Sequence, residues 1–122
     1  MELHLVMPAA GIGSVMAAIS ALACLNVLYL QTHPTPSLYR SGVVYSEPRL
    51  ARHGGQDMIS IPEVLRAGAG SCGDLTAWRI AELYTHGELG TPVVTRVGDL
   101  WHAKLRRADG SLECPSLILG MR

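Results

Sequence analysis

Apolar residues recur at every second position at the start of the chain. Leu3, Leu5 and Met7 are interleaved with His4 and Val6, which predicts a short strand ending at Pro8 and a Gly11-Ile12-Gly13 loop. Ser14 is placed to cap the helix that follows. From Val15 to about Gln31 the chain is rich in Ala and Leu and holds no Gly or Pro. Apolar positions cover nearly its whole circumference, so this helix is expected to be buried on most sides. His33-Pro34-Thr35-Pro36 ends it.

Tyr39, Val43, Val44 and Tyr45 mark residues 38–46 as extended, and 47–56, with Pro48, Gly54 and Gly55, as a polar loop and the most flexible part of the chain. Ser60-Ile61-Pro62-Glu63 has the form of a capping box with Pro in the first turn, predicting a short helix to about Ala67. After Gly68-Ala69-Gly70-Ser71 comes another helix, with Cys72 at its start, Ala77, Ile80, Ala81 and Tyr84 at helical spacing, and Gly87 as its stop. Residues 92–97, 101–107 and 112–114 alternate as strands, the last two joined by a turn at Ala108-Asp109-Gly110. Helices first and an antiparallel sheet afterwards predict a single α+β domain over residues 1–122.

Composition narrows the function classes. Ten acidic and ten basic residues leave no formal charge, which removes the electrostatic footprint needed for a nucleic-acid partner. Three widely spaced cysteines, Cys24, Cys72 and Cys114, do not form a secreted disulfide framework and fit a reducing compartment. The apolar run Val15–Leu30 is shorter than about 18 residues and contains Asn26, so no membrane span is expected. It also lacks the basic n-region of a signal peptide, since Glu2 is the only charged residue before it.

The stretch Gly70-Ser71-Cys72-Gly73-Asp74-Leu75 carries the main chemical signal. At a helix start, unpaired N–H groups and the helix dipole lower a thiol's pKa and offer donors to an oxyanion. The plainer reading of Cys72 is a small buried side chain. A cysteine nucleophile needs a base, and His102, on a strand about thirty positions later, is the candidate. Alternation puts His102 on one face with Lys104 and Arg106, and Trp101, Ala103 and Leu105 on the other.

Other residues read as structural. Cys24 is expected to be helix packing, Asp74 to support the helix start, His86 to suit a helix C-terminus and Asp109 to shape a turn. Trp78 and Trp101 are core candidates or groove walls near the thiol. Gly11-Ile12-Gly13 lacks the third glycine of a dinucleotide fingerprint, and no cofactor is expected.

Cys72 at a helix start, Val93-Val94 on a strand, Trp101-His102-Ala103, and Asp109-Gly110-Ser111-Leu112-Glu113-Cys114-Pro115-Ser116 together resemble the core of the transglutaminase-like and papain-like cysteine proteins. The resemblance covers roughly the second half of the chain. It implies a fold with a small antiparallel sheet against the Cys72 helix, Cys72 as nucleophile and His102 as base. Leu38-Tyr39-Arg40-Ser41-Gly42-Val43, Ile61-Pro62-Glu63-Val64-Leu65 and Leu119-Gly120-Met121 are similar to short stand-alone proteins of this type associated with phage and prophage genomes.

The chain departs from that pattern at one place: Cys114 stands where the family has an acid before Pro-Ser. A thiol is not a permanent anionic acceptor for the imidazole N–H. Glu113 is the possible substitute, although adjacent strand residues point to opposite faces. Cys72, His102 and Cys114 also form a soft-ligand set for zinc with one open position, against which the absence of ligand spacing counts, and no metal is expected. A Cys72–Cys114 disulfide depends on an unknown separation.

Two functions follow. The first is acyl transfer, as amide or peptide hydrolysis or transamidation, by a Cys72/His102 pair on a protein or peptide substrate. The second is a non-catalytic structural or interaction protein on the same scaffold, such as a virion component packed against assembly partners. The corresponding locations are the cytoplasm or a virion.

Overall fold

The computed structural model describes residues 4–7, 11–48, 56–98 and 100–122. The long apolar run becomes α1 (Ile12–Thr32), whose N-cap is Gly11 rather than Ser14. Its buried side chains, Val15, Ile19, Leu22, Ala23 and Asn26, form a single stripe. Ala17, Ser20, Ala21, Cys24 and Leu28 are exposed on the outer side, which corrects both the expected burial on most sides and the packing role of Cys24. With 21 residues and no charged side chain, α1 also has the length and composition of a membrane-crossing helix, which the shorter expected run did not. Within the fold its stripe packs on α3 and β5.

The helix enclosed on nearly all sides is α3 (Cys72–Thr85), where only Arg79 is not fully buried between Cys72 and Leu83. It is the more polar of the two helices, and its buried acids are hydrogen-bonded. Asp74 accepts the backbone N–H groups of Ser71 (2.9 Å) and Ile59 (2.8 Å). Glu82 accepts the Leu38 N–H (2.7 Å) and pairs with Arg79 (3.2 Å). Burial therefore follows position in the fold and satisfied hydrogen bonds, and mean apolarity alone ranks these two helices the wrong way round.

A three-stranded antiparallel sheet, β5 (Thr91–Val97), β6 (Leu100–Arg106) and β7 (Leu112–Glu113), packs against α3. β5 and β6 pair along their full length, with Thr95 opposite His102, whereas β7 covers only Leu105 and Arg106 of β6. Two small pairings lie earlier in the chain. β1 (His4–Met7) runs antiparallel to β3 (Gln56–Ile59), and β2 (Val44–Tyr45) runs parallel to β4 (Ala69–Gly70). Strands therefore bracket α1, and the chain is α+β without the simple order of helices first and sheet afterwards.

Other details differ from expectation. Residues 38–46 open with a 3-10 turn (Leu38–Arg40) before the two-residue β2, and the small-residue segment before Ser71 contains β4. Most of the polar segment assigned the greatest flexibility, residues 49–55, lies outside the described residues. The short helix is α2 (Ile61–Ala67), with Ser60 at its N-cap position but without the side-chain cap hydrogen bond of the expected capping box, and α4 (Pro115–Ile118) follows Cys114.

The core has two parts. One holds Ile19, Leu22, Ala77, Ile80, Val94 and Leu105, together with Met58, Cys72 and Trp101. The other is built around fully buried Trp78, with Leu38, Ile61, Val64 and Leu75. Half-buried Tyr45 touches both.

Candidate active site

Cys72 opens α3, with Ser71 as its N-cap and the Asp74 carboxylate holding the Ser71 N–H from three residues on. Gly73 follows because there is no room for a side chain. A Cβ there would lie 2.8 Å from both Met58 Sδ and Trp101 Cη2. The helix start is thus clamped between β3 and β6.

Cys72 Sγ lies 3.8 Å from the Trp101 carbonyl oxygen, to which the thiol donates, and the N–H groups of Ala103 and Gly73 point at the sulfur. Backbone groups of alternate strand residues face the same edge, so Trp101 and Ala103 present theirs on the edge of β6 that β7 leaves uncovered. The thiol is docked on that edge. Only 2% of Cys72 is exposed, and burial pushes its pKa up to about 11 from 9.0, with the charges of Asp74 and Cys114 adding to the rise. The Ala103 and Gly73 amides act in the opposite direction and are outweighed. The expected lowering at a helix start is therefore reversed by desolvation.

His102 is half-buried beside Lys104, and Trp101, Ala103 and Leu105 are buried on the opposite face of β6, as strand alternation predicts. Its Nε2 is 3.4 Å from Cys114 Sγ. Burial, and then the positive charge of Lys104, lower the imidazole pKa, so the neutral form is favoured. Cys114, at the N-cap of α4, is half-buried like His102. The structure thus brings His102 to Cys114 and binds Cys72 to the backbone on either side of His102.

Glu113, the possible substitute acid, is engaged elsewhere. Its carboxylate accepts hydrogen bonds from the Tyr39 hydroxyl, Arg79 Nε (2.6 Å) and Arg107 Nη1 (2.9 Å). Burial raises its pKa, but these three donors outweigh that and leave it below the usual carboxylate value. Arg107 continues the network to Glu88 through Nε (2.5 Å) and Nη2 (2.6 Å). Sequence reading missed this network. Its one local trace is the Arg79/Glu82 pair at helical spacing.

Tyr45 was also missed. Its N–H donates to the Leu119 carbonyl and the next N–H, of Ser46, to Gly70, so β2 is tied both to the segment before Cys72 and to α4 after Cys114. Burial, and then the negative charges of Glu47, Cys72 and Cys114, raise the Tyr45 pKa. No motif in a two-residue strand announces such a position.

The remaining candidates have structural settings. Trp78 is core, Trp101 covers Gly73, His86 Nδ1 lies 2.8 Å from the Glu82 carbonyl, and Asp109 accepts the Ser111 N–H and hydroxyl. Among the described residues no three His, Cys, Asp or Glu side chains are grouped to hold a metal, and the three cysteines are free thiols. A groove of about 350 Å³ between α1 and the C-terminal half of α3 is lined by Cys24, Ile80, Tyr84 and Leu89, well removed from Cys72 along the helix.

No family model, curated protein or solved structure matches the chain.

Proposed function

We propose that this chain is a cysteine-nucleophile acyl-transfer protein of the transglutaminase-like type with a masked resting thiol. The observation that carries the reading is the His102–Cys114 contact of 3.4 Å, since it joins the strand imidazole to the residue before Pro115 while Cys72 is held beside the same strand. Cys72 would attack an amide or ester carbonyl as His102 takes its proton. The helix-start amides, including that of Gly73, would receive the oxyanion, and water or an amine would release the acyl group. Protein or peptide substrates, and a cytoplasmic or virion location, belong to this proposal.

A second reading is favoured by the 2% exposure of Cys72 and its raised pKa: a non-catalytic interaction protein that has kept the scaffold. The two readings separate on acylation by an activated ester, followed by peptide mass mapping, in a Cys24→Ser background. Acyl transfer expects the adduct on Cys72, its rate falling at least tenfold in His102→Ala and rising in Cys114→Asp. An adduct confined to Cys114, or a Cys72 rate indifferent to His102, rejects the enzyme and leaves the scaffold reading.

A further inference from the structure

An imidazole that serves as a base is normally held by a third group that accepts its other proton, and an anion does this best. Among the described residues, the Cys114 thiol lies within hydrogen-bonding reach of His102, at 3.4 Å. This thiol has two properties that Cys72 lacks: it is partly exposed, and a neutral nitrogen base lies within reach of its proton. Cys72 is buried, and its sulfur is committed to the β6 backbone. Of the two thiols at the site, Cys114 is therefore the one available to an oxidant from solution.

We propose that Cys114 is a peroxide-sensitive modification site whose sulfinate form supplies the missing anion to His102 and switches the site on. The proposal rests on the acyl-transfer reading for what is switched, and on the Cys114–His102 contact alone for the modification. His102 Nε2 accepts the Cys114 proton, and the thiolate attacks one oxygen of a hydroperoxide. The S–O bond forms as the O–O bond breaks, and the departing oxygen takes up the proton as water or an alcohol. Sulfur is oxidised to sulfenic acid and the peroxide is reduced. A second peroxide repeats the step to give sulfinic acid, which loses its proton. The product is a permanently charged group with two acceptor oxygens, the attributes of a carboxylate, directly against the imidazole. The same substitution that costs the site its acid would thereby make that acid conditional.

The test uses the full chain carrying Cys24→Ser, treated with graded hydrogen peroxide and mapped by fragment-ion mass spectrometry, which distinguishes Cys114 from Met121. Cys114 should gain two oxygen atoms before Cys72 gains any. The His102 pKa, followed by NMR of the ring protons, should then rise by about one to two pH units. Cys114→Asp should show the same rise without peroxide, and Cys114→Ser should show none. Oxidation of Cys72 first, a Cys72–Cys114 disulfide as the main product, or an oxidised Cys114 that leaves His102 unmoved would each overturn the proposal. Ester acylation of Cys72 is measured on the same samples. If His102 shifts as expected and acylation stays absent, the modification stands and the acyl-transfer reading, with the switch built on it, fails.

Discussion

Gly73 and Trp101 meet so closely that the ring occupies the place of a side chain: a Cβ at residue 73 would lie 2.8 Å from Trp101 Cη2. In an open helix, Gly→Ala stabilises by about 1 kcal/mol. Here the sign reverses. Gly73→Ala should destabilise by about 1–3 kcal/mol in urea denaturation, because the ring and Met58 must shift together. Combining it with Met58→Ala should recover part of the Gly73→Ala increment, and strict additivity of the two changes would contradict the shared contact.

Asp74 secures the same helix start by accepting two buried N–H groups. Asp74→Ala should cost roughly 2–4 kcal/mol. It should also speed alkylation of Cys72, since the clamp from β3 is released. Unchanged thiol protection in a folded variant would show that Met58 and Trp101 suffice.

Cys72 gives a dependence at high pH. Its folded pKa, about 11, lies above its ordinary value of 9.0, so between those values the folded state retains a proton that the unfolded chain releases. Stability is favoured below 9.0 and lost as pH rises toward 11, by roughly 2–3 kcal/mol for this group. Tyr39, raised by burial and by Glu113, loses stability in the same direction, so the measurement is the difference between wild type and Cys72→Ala. That difference should shrink with rising pH; a constant difference would mean an ordinary thiol.

Glu113 acts at the other end of the scale. Its side chain is 12% exposed and serves Tyr39, Arg79 and Arg107. Glu113→Gln should cost about 2–3 kcal/mol at neutral pH. The folded pKa lies below the usual 4.5, so this stability is present above 4.5 and is lost as pH falls through the folded value. Wild type and variant should converge in acid, and equal stability at pH 7 would show the network to be dispensable.

Sequence periodicity located the elements whose signal is local. Ser60 and Ser71 start helices, Gly87 follows one, and the alternation from Trp101 to Leu105 correctly divides the two faces of β6. It misjudged the burial of α1, because an uncharged helix looks alike on every side while only the placement of α3 and β5 decides which stripe is covered. Two-residue strands such as β2 and β4 carry no periodicity at all. At the site, the separation of Glu113 from Cys114 follows from strand alternation and was legible. The raised pKa of Cys72 was not, because the desolvation comes from Met58, Trp101 and their neighbours, distant in sequence and close only in the fold.

The pairing of β1 with β3 bears on the order in which the molecule assembles. His4 meets Ile59 across more than fifty intervening residues, whereas β5 meets β6 through a tight turn. Closing the long loop costs more chain entropy, and such contacts are gained later in folding. Met58 and Ile59, which press on Gly73 and anchor Asp74, belong to the strand that this late pairing completes. The clamp itself spans only fifteen residues, from Ile59 to Asp74, so β3 can seat on the helix start beside Cys72 before β1 is added to its edge.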